Sequence, residues 1–439
     1  MLSPSEVLRY LNSFPNYETN LNYSYREALK LKRIKDFLFL IGDPQKSLRV
    51  IHVAGTKGKG STCAFVAYIL REAGFTVGLY TSPHLHDFRE RIRILKPCGG
   101  KTTKDFEGMI SAKGLSELVV ELKPLINEYN RQSKIDGLTF FEVYTALTLL
   151  YFKRKKLDFV VLETGMGGSL DATNATGSLV CGIAPISFEH VQKLGKTLTK
   201  IAGEKCGIIK SKGAVVVSAA QSKEARKVIH NRCKKFKAKL FELGRQIKYF
   251  KTKQGFTIKG LRRDYRNLRL RLLGDHQIAN ASLAVGLVEV LNFFGFNIGP
   301  VAIRRGLYNT TWPGRCEVIA RKPGIVLDGA QNLASADALK QAVNKFKYNK
   351  LILVLGISRD KDIRGISKSL EPLADQIILT RADTLRAMDP KKLALYFKKK
   401  VYLTQSVKEA KLLAKRLAHK ADLILVTGSL FVVGEFRDV

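Results

Sequence analysis

At 439 residues and 49.0 kDa, with 45% hydrophobic residues, the chain can bury two or three cores, which excludes a disordered or fibrous protein. Its 75 Lys and Arg against 38 Asp and Glu leave a formal charge of +37, so polyanions are natural ligands. The short basic clusters Lys153 to Lys156, Lys234 to Lys239 and Lys398 to Lys400 hold a single aromatic between them, Phe236, and not the repeated interleaved aromatics of a single-strand platform, so no specific nucleic-acid partner is expected.

Ser3-Pro4-Ser5-Glu6 reads as a capping box with Pro at the first helical position, opening a short amphipathic helix and not a signal peptide. Tyr17 to Leu40 is polar and then helical, ending at Gly42-Asp43-Pro44. Arg49 to Tyr80 then reads as strand, glycine-rich turn, helix from Ser61, and strand. In GTKGKGS the glycines let backbone N–H groups and a helix amino end face an anion. Lys59 is placed to reach the β- and γ-phosphates of a nucleotide, and the Ser61 hydroxyl to bind its Mg²⁺.

Thr81-Ser82-Pro83-His84 follows a strand's carboxyl end, where doubly wound sheets hold ligands. Arg89, Glu90, Arg91 and Arg93 read either as a solvated charge cluster or as a clamp for an acidic substrate. Lys104 to Asn130 and Phe140 to Lys155 are helical by period, with Glu142 in the first turn of the second as a cap or a metal ligand. Asp158 to Leu162 is a buried strand running into ETGMGGSLDATN, whose Gly165-x-Gly167 lacks the third glycine of a dinucleotide fingerprint. Another strand, Val180 to Ile186, sets Glu189 and His190 at its end, His190 being equally a core residue or a ligand. Thr197 to Lys210 is a helix carrying Glu204-Lys205, and Lys205 alone reads as a solvated ammonium paired with that carboxylate.

Strand Val215 to Val217 follows, and Lys248 to Leu273 alternates as an antiparallel ribbon. Leu273 to Leu291 is a long helix in which Asn280 caps or reaches a ligand, and the apolar stretch Ala279 to Phe296 is broken by Asn280, Glu289 and Asn292, so no membrane span is expected. Periodicity stops near Tyr308 to Arg315, which divides residues 1–311 from 312–439. Beyond it, strands at Ile325 to Asp328, Leu351 to Leu355, Gln376 to Thr380, Val401 to Leu403 and Leu423 to Val426 alternate with helices. The fold class is α/β: a P-loop-type, mostly parallel ATP-binding domain with a second, smaller Rossmann-like domain. Six cysteines without a C-x-x-C pair suit a reducing compartment, hence a cytoplasmic protein.

GTKGKGS, TSPHLHDFRERI, TFFEVYTA, ETGMGGSLDATN, EKCGIIK, GDHQIANA, WPGR, LDGAQN, SRDKD and TGSLFVVGE together resemble the Mur-ligase superfamily, most closely its folylpolyglutamate synthase and dihydrofolate synthase branch. The resemblance implies an ATP-dependent ligase, a monomer, that joins L-glutamate to a folate or pteroate carboxylate through an acyl phosphate. It implies that Gly58, Lys59, Gly60, Ser61 and Thr62 bind triphosphate, that Ser61, Glu142 and His190 bind Mg²⁺, and that Asn280, Arg315 and Asp328 hold ATP. Ser82, Pro83, His84 and Arg89 would meet substrate, Lys59, Lys205 and His190 would be catalytic, and Lys205 would be carbamylated. Three positions depart from the family pattern: Glu189 for Asp, Gln331 for His and Ser169 for Arg.

Overall fold

The computed structural model describes residues 2–20, 23–97, 105–133 and 136–438. Cys98, and Lys104 at the start of an expected helix, lie outside them. By its contacts the chain divides into two units, the first Met1–His84, Arg89–Arg271 and Ile278–Thr310, the second Leu85–Phe88, Leu272–Gln277 and Thr311–Val439.

Short apolar runs with no polar face must be covered on both sides, which is the condition of a parallel strand between helices. In the first unit seven strands, the central ones of this kind, form one sheet: β1 Val50–Ala54, β2 Val77–Tyr80, β3 Ile92–Leu95, β4 Phe159–Glu163, β5 Ser178–Ile183, β6 Val215–Ser218 and β7 Lys239–Glu242. Their order is β3-β2-β4-β1-β5-β6-β7, parallel throughout except for the antiparallel edge β3. β1 and β4 are buried at every position. β1 lies between β4 and β5, so the loop leaving its carboxyl end opens where the strand order reverses.

The alternating segment after β7 forms the expected ribbon, β8 Lys248–Thr252, β9 Gly255–Lys259 and β10 Asp264–Leu268, all antiparallel. The second unit carries a six-stranded sheet of β11 Glu317–Arg321, β12 Gly324–Leu327, β13 Leu351–Leu355, β14 Gln376–Leu379, β15 Val401–Leu403 and β16 Leu423–Thr427. Its order is β11-β12-β16-β13-β14-β15, with only β11 antiparallel. Val326, Leu353, Leu355, Ile377 and Leu425 form the centre of its core.

At the amino end Glu6 Oε2 accepts from the Ser3 N–H at 2.7 Å while Ser3 Oγ accepts from the Glu6 N–H at 3.3 Å, the capping box the spacing predicts. The apolar helix Asp275–Glu289 continues as a tighter turn to Phe294. Against expectation this stretch is long and apolar enough to cross a membrane by composition; most of it is buried within the fold, as a core helix would be. Cys63, Cys181, Cys206, Cys233 and Cys316 are free and buried, and burial pushes the Cys181 and Cys206 thiols up to about 12.

Candidate active site

A loop can wrap an anion only where its backbone departs from ordinary conformations, and here two glycines permit it. Gly55, next after β1, has φ +148°, and a Cβ there would sit 2.7 Å from the Ala184 Cβ. Gly58 caps the helix Lys59–Glu72 at φ +77°, and its Cβ would sit 2.2 Å from Asn280 Oδ1. The loop is pinned from one side, since the Thr56 and Lys57 N–H groups donate to the Pro185 carbonyl at 2.9 and 3.2 Å. Those two donors therefore do not face an anion, contrary to the simplest reading of the glycine-rich turn. The first helical bond runs from the Thr62 N–H to the Gly58 carbonyl, so the N–H groups of Lys59, Gly60 and Ser61 precede the ladder. Ser61 is buried, and the Thr62 hydroxyl is buried with no hydrogen-bond partner.

Two carboxylates compete for the role of metal ligand. Glu142 Oε2 accepts from Arg33 Nε at 2.8 Å and from the Thr139 N–H and hydroxyl at 2.8 and 2.9 Å. Burial pushes its carboxyl up, and Arg33 opposes that shift. Glu142 thus neutralises a buried guanidinium and caps its helix, a structural role that corrects the metal role expected for it. Glu163 instead ends β4, in register with Val53 of β1, and its Oε2 accepts from the Ser82 N–H at 3.2 Å. The Cys63 thiol near the start of the helix is pushed up by burial and then by Glu163, with Lys59 opposing. Sequence reasoning passed over Glu163 although it opens ETGMGG directly at a strand's carboxyl end, the signal that would have found it.

Lys205 is buried, and its Nζ donates to the Gly55 carbonyl at 2.8 Å. Burial, and then the nearby charge of Lys59, bring it down to about 7, with Glu189 and Asp171 pulling the other way. A surface ion pair with Glu204 is excluded, because Glu204 accepts from the Tyr25 hydroxyl at 3.3 Å and stands 4.0 Å from Arg26. His190 follows β5 in a left-handed conformation, φ 50° and ψ 39°, at the head of Val191–Leu194. Ser169 donates through its N–H and its hydroxyl to the Glu204 carbonyl at 2.8 and 3.1 Å, closing the end of the helix Leu198–Lys205.

The arginines after β2 are neither solvated nor a clamp at two of their positions. Arg91 is buried, donates to both Glu18 oxygens at 2.8 and 2.5 Å, and reaches His84 Nδ1 at 2.9 Å through its Nε. Arg93 donates to the Glu107 carbonyl at 2.8 Å and the Tyr68 hydroxyl at 3.2 Å. Arg89 is half-buried on the turn Phe88–Arg91. A separate cavity of about 670 Å³ is lined by Arg26, Leu29, Lys30, Lys32, Leu170 and Glu204, with Ser169 at its wall, a cationic and apolar setting that sequence reasoning did not single out.

In the second unit Asp328 follows β12 and accepts from the Cys316 and Ala330 N–H groups, both at 2.8 Å. Burial pushes its carboxyl up and Arg315 opposes. A Cβ on Gly329 would sit 2.6 Å from Arg315 Nη1, so this guanidinium lies against the loop after the strand. Asn280 lies at the phosphate loop of the first unit, while Arg315 and Asp328 are neighbours in the second.

A family model described as the Mur ligase middle domain matches residues 53–288, and one described as the Mur ligase glutamate ligase domain matches 314–430. The dihydrofolate synthase/folylpolyglutamate synthase of Bacillus subtilis (strain 168) is 34% identical over 418 residues, 93% of this chain and 94% of the relative. The chain belongs to the folylpolyglutamate synthase and dihydrofolate synthase family of Mur ligases. A folylpolyglutamate synthase of Lacticaseibacillus casei is 32% identical, covering 83% of this chain and 82% of its own. Among solved structures, Mycobacterium tuberculosis folylpolyglutamate synthase complexed with ADP and AMPPCP superposes with a TM-score of 0.87 at 31% identity, over 99% of this chain and 97% of that one. E. coli FolC in complex with DHPP and ADP gives 0.85 at 27%, over 100% and 97%. As a member of this family the protein is a ligase.

Proposed function

We propose that the protein uses ATP to join L-glutamate to the carboxylate of a folate or pteroate, releasing ADP and phosphate. The observation that carries this reading is the glycine loop at the carboxyl end of β1: Lys59 opens the helix that leaves it, Lys205 holds its Gly55 carbonyl at 2.8 Å, and Glu163 ends the neighbouring strand in register with Val53. A carboxylate is a poor electrophile. Attack of its oxygen on the terminal phosphorus of ATP expels ADP and makes an acyl phosphate, and the glutamate amine then displaces phosphate at the carbonyl carbon.

Gly58, Lys59, Gly60, Ser61 and Thr62 hold the triphosphate, and Asn280 packs on that loop. Arg315 and Asp328, neighbours after β12, are read as further nucleotide ligands on the strength of the family motifs WPGR and LDGAQN. Ser61 and Glu163 offer hard oxygens and His190 an imidazole; among the described residues no group of three or more His, Cys, Asp or Glu is clustered. Mg²⁺ takes hard oxygen donors of this kind and keeps waters and substrate phosphates as its other ligands. When bound, that ion neutralises charge on the transferring phosphoryl. Lys59 adds a point charge to the same oxygens, and Ser82, Pro83, His84 and Arg89 stand on the segment whose backbone Glu163 holds.

The cavity beside Ser169 suits the aromatic acceptor, its leucines taking the ring and Arg26 a carboxylate, with Lys30 and Lys32 exchanging Asp136 and Asp36, now 3.0 and 2.6 Å away, for the others. Residues 1–311 serve as the ATP-binding domain and 312–439 as the ligase domain of a cytoplasmic monomer. Lys205, whose charged form burial disfavours, is read as the carbamylated lysine of this family, carbon dioxide reacting with its neutral amine. The test is ADP release across a panel of pteroate and folate acceptors with several amino acids. Release should require both an acceptor and glutamate, and Lys59→Ala should lose about 10²-fold or more. AMP as the product, or an unaffected Lys59→Ala enzyme, contradicts the reading.

A further inference from the structure

The ribbon of the first unit has a face for which the ligase reaction supplies no use. Residues 248–271 hold nine Lys and Arg against one acidic residue, Asp264. The inner face is apolar, with Phe256, Ile258, Tyr265 and Leu268 all buried. Glu289 holds it down: its carboxylate accepts from the Leu261 N–H at 2.7 Å, the Arg262 N–H at 3.3 Å and the Tyr265 hydroxyl at 2.9 Å.

Strand period and register fix what the other face displays. Lys248 pairs with Lys259 and Phe250 with Thr257, so these four side chains lie opposite the buried set. Lys259 also pairs with Asp264 on β10, and Arg266 stands two residues on, where the register shifts. The Lys259 Nζ lies 5.8 Å from the centre of the Phe250 ring. That ring is 48% exposed, a large apolar surface left in water among cations.

We propose that this face binds single-stranded nucleic acid without sequence preference, one base stacking on Phe250 while Lys248, Lys259 and Arg266 contact the flanking phosphates. A flat aromatic face offers nothing to a duplex, whose bases are stacked on one another. An acidic peptide would use the lysines and leave the ring idle, whereas an unpaired base beside a phosphate uses both. Strand pairing, and not sequence adjacency, brings Lys259 to Phe250.

Fluorescence anisotropy of a labelled fifteen-nucleotide uridine RNA with the full chain tests the proposal. RNA should bind in 0.1 M salt with a log–log salt slope of about −2, as for three phosphate contacts. Phe250→Ala should weaken it about tenfold, Lys248→Glu with Lys259→Glu should weaken it more, and ligase rate and circular dichroism should stay unchanged. Duplex DNA should bind more weakly than the RNA and be indifferent to Phe250→Ala. RNA binding untouched by both variants overturns the proposal. So does a preference for phosphatidylserine vesicles over RNA that the same variants abolish.

Discussion

The Lys205 ammonium is surrounded by what disfavours its charge: burial, and Lys59 across the loop. Its folded value of about 7 lies well below that of an unfolded lysine, so between pH 7 and about 10.4 the unfolded chain binds the extra proton. Stability contributed by this residue therefore rises with pH through that window, and the penalty is complete below it. In buffer free of carbon dioxide, Lys205→Met should be more stable than the parent at pH 6 in urea melts, with the difference closing toward pH 10. A Lys205→Met enzyme less stable than the parent at pH 6 would place the ammonium in a favourable ion pair instead. The two carboxylates separate by the same reasoning. Glu142→Gln breaks a buried ion pair and should cost about 3–5 kcal/mol, whereas Glu163→Gln should leave the melting curve nearly in place and abolish Mg²⁺-dependent turnover. The reverse pattern would restore Glu142 as the ligand. Sequence spacing makes Lys59 and Ser61 legible because loop and helix are contiguous. It does not separate Glu142 from Glu163, since what distinguishes them is Arg33, 109 residues from Glu142 in the chain.

Among the elements, the strands most legible in the sequence include those buried at every position, such as β1, β4 and β13, which read as short, mostly apolar runs. The three that escape, β3, β7 and β11, are all sheet edges. β3 contains buried Arg93, which reads as surface until Glu107 and Tyr68 are seen to satisfy it. β7 begins inside a lysine-rich segment, and β11 leaves most of its residues partly or wholly exposed. The phosphate loop shows the opposite case, an element whose conformation two glycines dictate. Gly58→Ala must adopt φ near +77° at a cost of about 1–2 kcal/mol and push against Asn280. ADP affinity measured by calorimetry should fall about tenfold or more, with a small drop in melting temperature. Unchanged affinity would mean that the loop does not hold nucleotide in this conformation.

For the whole molecule, fold class was legible because strands and helices alternate along the chain, which leaves few topologies. The chemistry became legible only through the order of ten motifs taken together, since no one of them fixes a reaction. The central claim is that the acceptor carboxylate is itself phosphorylated before the amine attacks, and one isotope measurement tests it directly. With an acceptor carrying ¹⁸O in both oxygens of its reacting carboxylate, one oxygen stays in the amide and the other leaves with phosphate. Mass spectrometry of the products should find inorganic phosphate containing one ¹⁸O per turnover and ADP free of label. Unlabelled phosphate would contradict the account, and so would label appearing in AMP.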